Sequence, residues 1–286
     1  MTYFSSYSWW IAAIGMMLML AGAPAASAQE FDDAQKAEIE TIIGEYLKKN
    51  PEFIRDYLVE NPEILLEVSD KLRAQQIQQE RESATLAMTA HKEKLERHPI
   101  TPVTGNPEGD ITLIEFFDYN CSFCKRAFTY MREIEKDDPN LRVAWKEYPI
   151  LAGRTPTSLT AAKVAMAADL QGKYIEVHTA LMDRRGSLAS DAQVLKIAEG
   201  VGLDMDKLKK DMESSVVRAY ISETVQLGEA LQFQGTPTFV INGAVIGGAV
   251  PKEYILAVIA AARAGALKPG ELTEQDLGQI VQQFGS

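Results

Sequence analysis

The decisive stretch is Ile111-Thr112-Leu113-Ile114-Glu115-Phe116-Phe117-Asp118-Tyr119-Asn120-Cys121-Ser122-Phe123-Cys124. Ile111 to Phe117 is an apolar run of strand length whose one charged residue is Glu115. Cys121 and Cys124 follow it and are the only 2 cysteines among 286 residues. They can pair only with each other or with a partner's sulfur. A buried strand feeding a helix that opens on Cys-x-x-Cys is an arrangement for thiol–disulfide chemistry. The positive end of the helix dipole and its unpaired N–H groups stabilise a thiolate at Cys121. Cys124 lies one turn further in, less exposed. Cys121 therefore reads as the attacking nucleophile and Cys124 as the resolving cysteine. Ser122 and Phe123 tune the pair, with Ser122 in reach to donate to the thiolate, and Lys125 and Arg126 add positive charge nearby.

Glu115 is the second chemical signal. An acid in a buried strand is costly unless paired or used. Lys146 in the next strand is the expected partner, and the two are expected to relay a proton to or from Cys124. The competing reading is a partly exposed salt bridge of little consequence. Zinc would need two more ligands beside Cys121 and Cys124, and the sequence has no second Cys pair and no His-x-x-His among its 3 histidines. His91 and His98 lie together; His178 is isolated. Two close thiolates are soft ligands, so Cu(I) at Cys121 and Cys124 stays open.

The N-terminus points to export. Residues 1–28 carry no Lys, Arg, Asp or Glu. Trp9 to Leu20 is apolar apart from Gly15, and Ala26-Ser27-Ala28 is an Ala-x-Ala cleavage signal, so a signal peptide cut before Gln29 is expected. An uncleaved anchor is the alternative, but the apolar run is short for a membrane span. In an oxidising compartment a lone Cys-x-x-Cys closes too small a loop to act as a staple, which favours a chemical use. The net charge of −11 argues against nucleic acid and anionic membrane surfaces.

Residues 29–98 read as a helical stalk or oligomerisation region. An echo of 11 residues pairs Tyr46-Leu47-x-x-Asn50-Pro51-Glu52 with Tyr57-Leu58-x-x-Asn61-Pro62-Glu63. Asn at N-cap, Pro at N1 and Glu in the first turn start helices. Helices are expected at about 31–48, 51–59 and 62–96, the last becoming polar all round beyond Leu72. The apolar side chains of the first two exceed what so small a segment hides, which favours self-association over docking on the chain's own catalytic domain. Residues 99–265 then read strand 111–117, the Cys-x-x-Cys helix, strand 141–148, a helical insertion at about 156–229, a hairpin turning at Asn242-Gly243 and a helix from Pro251. Residues 266–286 form a tail with one short helix.

Glu115-Phe116-Phe117-Asp118-Tyr119-Asn120-Cys121-Ser122-Phe123-Cys124-Lys125, together with Gly235-Thr236-Pro237-Thr238-Phe239, resembles the DsbA-like thiol–disulfide oxidoreductases of the bacterial periplasm. The N-terminal echoes resemble the extension of the ScsC (suppressor of copper sensitivity) branch. The resemblance implies an α/β chain with a thioredoxin fold, a helical insertion and a preceding α-helical arm. It implies a cis Thr236–Pro237 bond against the cysteines, with Thr236 pairing to a substrate strand. It implies no cofactor beyond a redox-active Cys121–Cys124 disulfide. A dipeptide other than Pro-His, and Thr before the proline, resemble isomerases more than strong oxidants.

The resulting expectation is a periplasmic disulfide isomerase or reductase acting on exported client proteins. An inner-membrane thiol reductant of DsbD type would keep it reduced, and the N-terminal helices would assemble it into a homo-oligomer, a trimer by resemblance. The alternatives are a dithiol oxidase that introduces disulfides and a copper-handling thiol protein.

Overall fold

The computed structural model describes residues 31–267 and 269–285; the expected signal peptide, residues 1–28, lies outside the described residues. Two compact units divide the chain, one ending at Leu72 and the other beginning at Arg73.

The first unit holds α1 (Asp33–Lys49), α2 (Pro51–Glu60) and the opening turns of α3 (Pro62–Ala90). A capping box starts α1: Asp32 accepts from the N–H of Gln35, and the Gln35 side chain accepts from the N–H of Asp32. Asn50 holds the expected N-cap position of α2, but its side chain and that of Asn61 bond backwards instead of capping. Each donates Nδ2 to a tyrosine carbonyl four residues earlier, Tyr46 or Tyr57, at 2.8 Å. The orphan carbonyls of the ending helix take the side chain, while proline at N1 removes one of the orphan N–H groups that would compete. Neither α1 nor α2 contains a buried residue. Ile42, Tyr46, Phe53 and Tyr57 are all more than half exposed.

The second unit is built on six strands in the order β1-β3-β2-β4-β5-β6. They are β1 (Val103–Gly105), β2 (Ile111–Phe117), β3 (Leu141–Glu147), β4 (Thr238–Ile241), β5 (Ala244–Gly247) and β6 (Gly270–Glu271). β2 runs parallel to β3 and antiparallel to β4, so it is buried between them. That position explains its unbroken apolar run. Helix α5 (Ser122–Asp137) connects β2 to β3. The insertion between β3 and β4 comprises α6 (Thr157–Asp169), α7 (Tyr174–Met182), α8 (Asp191–Gly200), α9 (Met205–Met212) and α10 (Ser215–Ala230). The β4–β5 turn has Asn242 and Gly243 at φ 48° and 83°, the left-handed pair a type I′ turn requires. Helix α11 (Lys252–Arg263) and helix α12 (Glu274–Phe284) complete a thioredoxin fold with an inserted helical domain.

Side chains alternate across the sheet and feed two cores. Leu113 and Phe117 of β2 and Val143 and Trp145 of β3 join α5, α11 and the insertion in the larger one. Ile114, Phe116, Ala144 and Tyr148 face the other way. This second face is covered by Leu227, Phe233, Met88 and Leu95, the last on α4 (Lys92–Glu96). The expected single helix 62–96 thus breaks at His91, and its last turns pack on the sheet. Arg142 and Lys146 of β3 donate to the carbonyls of Glu96 and Lys94. The compact unit consequently begins at Arg73, whereas composition alone places the change at residue 98. Leu277 of α12 is buried in the larger core, which gives the tail a packing role.

Leu95 is 2% exposed. Leu95→Ala should lower the unfolding free energy by about 2–5 kcal/mol in urea titration. A chain begun at Arg73 should keep full stability in the same assay, and one begun at Pro99 should lose at least as much as the alanine variant.

Candidate redox site

Cys121 is the N-cap of α5, with φ −78° and ψ 113°, and its Sγ accepts from the N–H of Cys124 at 3.4 Å. An N-cap sulfur faces the unpaired N–H groups of the first turn. Cys121 also lies against the start of β4, donating to the Thr236 carbonyl at 3.2 Å as a thiol. The Thr236–Pro237 bond there is cis.

The two thiols are pushed apart. Cys121 falls to a pKa of about 6, chiefly because the Cys124 thiol donates to it. Thr236 and the N–H groups of Cys124 and Phe123 add to this, against an opposing effect of burial. Cys124, fully buried, is pushed well up by burial first, then by its bond to Cys121 and the charges of Glu115 and Cys121. Ser122, expected as a donor, is exposed; Thr236 meets the sulfur through its backbone carbonyl. Lys125 turns away to the insertion, donating to the carbonyls of Arg184 and Gly186 at 2.7 and 2.8 Å. Arg126 sits over the Phe123 ring at 4.6 Å.

The loop before Cys121 is clamped by residues whose role the sequence did not disclose. Asp118 accepts from the N–H groups of Asn120 and Leu151 and from the Ser158 hydroxyl, at 2.8, 3.0 and 2.8 Å. Asn120 donates to Thr157 and Ser158 and accepts from the N–H of Leu188. The insertion therefore fixes the approach to the nucleophile. Beside it, Glu147 accepts from Tyr119 and Tyr174 at 2.9 Å each, and Tyr119 meets Nδ1 of His178 at 2.9 Å. Burial drives His178 down to about 3, so its imidazole is neutral at neutral pH, and burial pushes the Glu147 carboxyl well above the usual carboxylate range. Tyr119 and Asn120 were in plain view within the motif, but their partners lie far along the chain.

Glu115 is completely buried on the cysteine side of the sheet, and neither carboxyl oxygen has a hydrogen-bond partner. Burial and, secondarily, the charge of Cys121 push it well above the usual carboxylate range. The expected Glu115–Lys146 pair does not form. Glu115 is in register with Trp145, and Lys146 with Phe116, so the two side chains leave opposite faces of the sheet. Lys146 donates instead to the Lys94 carbonyl and the Thr101 hydroxyl, both at 2.7 Å. Among the described residues no group of three or more His, Cys, Asp or Glu is placed to hold a metal. Chemically, the site presents an acidic thiol at a helix start, a buried second thiol within reach, and a buried carboxyl behind it. That set can exchange disulfides.

Comparison with known proteins agrees. Residues 112–260 match the model of the DSBA-like thioredoxin domain. Residues 52–79 match that of the copper resistance protein ScsC N-terminal domain. A thioredoxin-like oxidoreductase from Silicibacter pomeroyi DSS-3 is 42% identical, with a TM-score of 0.58 over 60% of this chain and 98% of that one. Proteus mirabilis ScsC in a transitional conformation shares the fold at 23% identity, with a TM-score of 0.56 over 84% of this chain and 100% of that one. The Na(+)/H(+) antiporter NhaA 1 of Salinispora arenicola is 32% identical over 183 residues, 62% of this chain and 28% of that protein. The chain thus spans less than a third of the length of the curated relatives it matches. None of its described helices is long and apolar enough to cross a membrane. With more than half its length matched by one family model, the chain belongs to the DsbA-like thioredoxin-domain family.

Proposed function

We propose that this chain is a periplasmic thiol–disulfide oxidoreductase working as a protein disulfide isomerase and reductase. The observation that carries the proposal is the placement of the two thiols: Cys121 Sγ caps α5 and accepts from the N–H of Cys124, while Cys124 itself is completely buried. The Cys121 thiolate attacks one sulfur of a client disulfide; that bond breaks, a mixed disulfide forms, and the client's other sulfur leaves as a thiolate. In isomerisation a different client thiolate attacks the mixed disulfide and frees Cys121, with no net change of oxidation state. In reduction Cys124 attacks instead, giving the Cys121–Cys124 disulfide and a client carrying both electrons. An inner-membrane thiol reductant then restores the pair. Glu115 takes the Cys124 proton and returns it, a task for which a buried carboxyl with raised pKa is suited. Lys146 has no part in it. Thr236 and Pro237 hold the client strand beside the sulfur.

The apolar faces of α1 and α2 support assembly. Their large side chains are uncovered in a single chain, and copies of this chain are the proposed cover. Several thiols around one client would raise the effective concentration for repeated attack. A dithiol oxidase is the second reading. Stabilising the Cys121 thiolate stabilises the reduced pair, which makes its disulfide easier to pass on.

Three outcomes are expected. Alkylation of thiols trapped in living cells should find the pair mostly reduced; a mostly oxidised pair would favour the oxidase. Cys124→Ser should accumulate client mixed disulfides, visible on non-reducing gels, and Cys121→Ser should accumulate none. Light scattering should show an oligomer for the mature chain and a monomer once residues up to Leu72 are removed.

The lowered pKa of Cys121 also sets a pH dependence. Its stabilisation is complete above the ordinary thiol pKa near 9 and is lost as pH falls through about 6. Between those values the unfolding constant of the reduced protein should fall about tenfold per pH unit relative to Cys121→Ser. Urea unfolding at a series of pH values measures it; parallel curves for the two proteins would contradict it.

A further inference from the structure

The chain is acidic overall, with 40 Asp and Glu against 29 Lys and Arg. Beside its cysteines that balance reverses. Lys125 and Arg126 follow Cys124 directly, and α5 carries no acid before Glu133. The segment from Arg184 to Ser190, between α7 and α8, holds two more cations, Arg184 and Arg185, and no acid. It is fastened to the cysteine region at two places. Lys125 Nζ donates to the carbonyls of Arg184 and Gly186, and the Leu188 N–H donates to Asn120 Oδ1 at 2.7 Å. Arg126, Arg184 and Arg185 are exposed. Of the neighbouring acids, Asp183 is bound to Arg132, Asp118 is buried within its clamp, and Asp191 opens α8. Among the described residues none of the four cations forms a salt bridge.

Their positions are ordered in advance. The Arg126 guanidinium lies 4.6 Å from the ring centre of Phe123, which stands between the cysteines and is 51% exposed. Arg184 Nη1 donates to the Arg185 carbonyl at 3.1 Å. Less side-chain freedom is then lost when an anion arrives. Like charges gathered in this way repel, and the Arg184 charge joins burial in lowering the Lys125 pKa. A cationic group held together against that repulsion, next to a nucleophile, fits a negative ligand. A polypeptide disulfide flanked by Asp or Glu is otherwise repelled twice, by the net charge of −11 and by the attacking thiolate itself. Four cations at the cysteine helix offset both effects.

We propose that Lys125, Arg126, Arg184 and Arg185 form a docking surface for acidic polypeptide segments, so that this chain exchanges fastest with client disulfides flanked by Asp and Glu. The preference rests on the exchange reading given above and adds to it the chemistry of the client.

The test uses peptides with a single cysteine flanked by Glu, Gln or Lys, each as its mixed disulfide with 2-thiopyridine, and the mature chain carrying Cys124→Ser. The Cys121 thiolate attacks the peptide sulfur, and the peptide–pyridine S–S bond breaks. The pyridinethiolate leaves with the electron pair and takes a proton, giving thiopyridone, whose absorbance is followed. Each rate is divided by that of 2-mercaptoethanol with the same peptide. At an ionic strength of about 0.01 M the Glu peptide should react about tenfold faster than the Lys peptide, and at about 1 M the two should converge. Arg184→Gln with Arg185→Gln should cut that ratio to about threefold or less and leave the Gln peptide at its wild-type rate. Arg184→Lys with Arg185→Lys should retain the ratio, and Arg184→Glu with Arg185→Glu should reverse it. Alkylation of Cys121 by uncharged iodoacetamide should keep one rate throughout; a rate falling in step with the peptide rates would assign the loss to the sulfur and overturn the proposal. Equal rates for the Glu and Lys peptides, or a ratio unmoved by the glutamine pair, would overturn it too. The exchange reading would then stand as long as Cys121→Ser with Cys124→Ser releases no thiopyridone. Release from no peptide at all would overturn the exchange reading and this preference with it.

Discussion

The chemistry depends on hydrogen bonds donated into one sulfur. Cys121 Sγ sits where the first turn of α5 presents N–H groups without helical partners, and there it accepts from the N–H of Cys124 and is favoured as a thiolate by the Cys124 thiol. Each donor favours the thiolate over the thiol, and together they outweigh the burial that opposes it. Much of the second unit serves to keep those donors in place. The β2–β4 pairing brings Thr236 to the cysteine, and Asp118 and Asn120 tie the loop before it to the insertion. The insertion is thus part of the site's frame as well as a cover for the core.

The sheet divides its labour by face. The side carrying Leu113, Glu115 and Phe117 meets α5 and the cysteines. The opposite side carries Phe116 and Lys146 and is closed by Met88, Leu95 and the end of α10. A carboxyl kept without a charged partner on the first side stays available to Cys124. A lysine satisfied by a carbonyl and a hydroxyl on the second side is structural.

The strand 111–117 and the cysteine helix were legible because a fully buried strand writes an unbroken apolar run, and because Cys-x-x-Cys needs a helix start to be useful. The hairpin was legible from Asn242-Gly243, since those two residues tolerate left-handed backbone. Other features had no local trace. β1 and β6 are too short to show a period. The face taken by Lys146 is a matter of register, in which one residue's displacement reverses the outcome, and composition cannot fix it. Asp118 and Asn120 look like ordinary loop residues until Ser158 and Leu188 arrive from the insertion. The compact unit begins at Arg73 while the composition changes at residue 98, because α3 is polar over most of its length and only Met88 on α3 and Leu95 on α4 mark the chain's return to a core.

The central claim is a Cys121 sulfur ionised near neutral pH, and the pH dependence of its alkylation by iodoacetamide tests that claim most directly. The account predicts a rate that is half-maximal at a pH of about 6, with Cys124 unreactive in the folded protein. A half-maximal rate near 9, the value of an ordinary thiol, would contradict it.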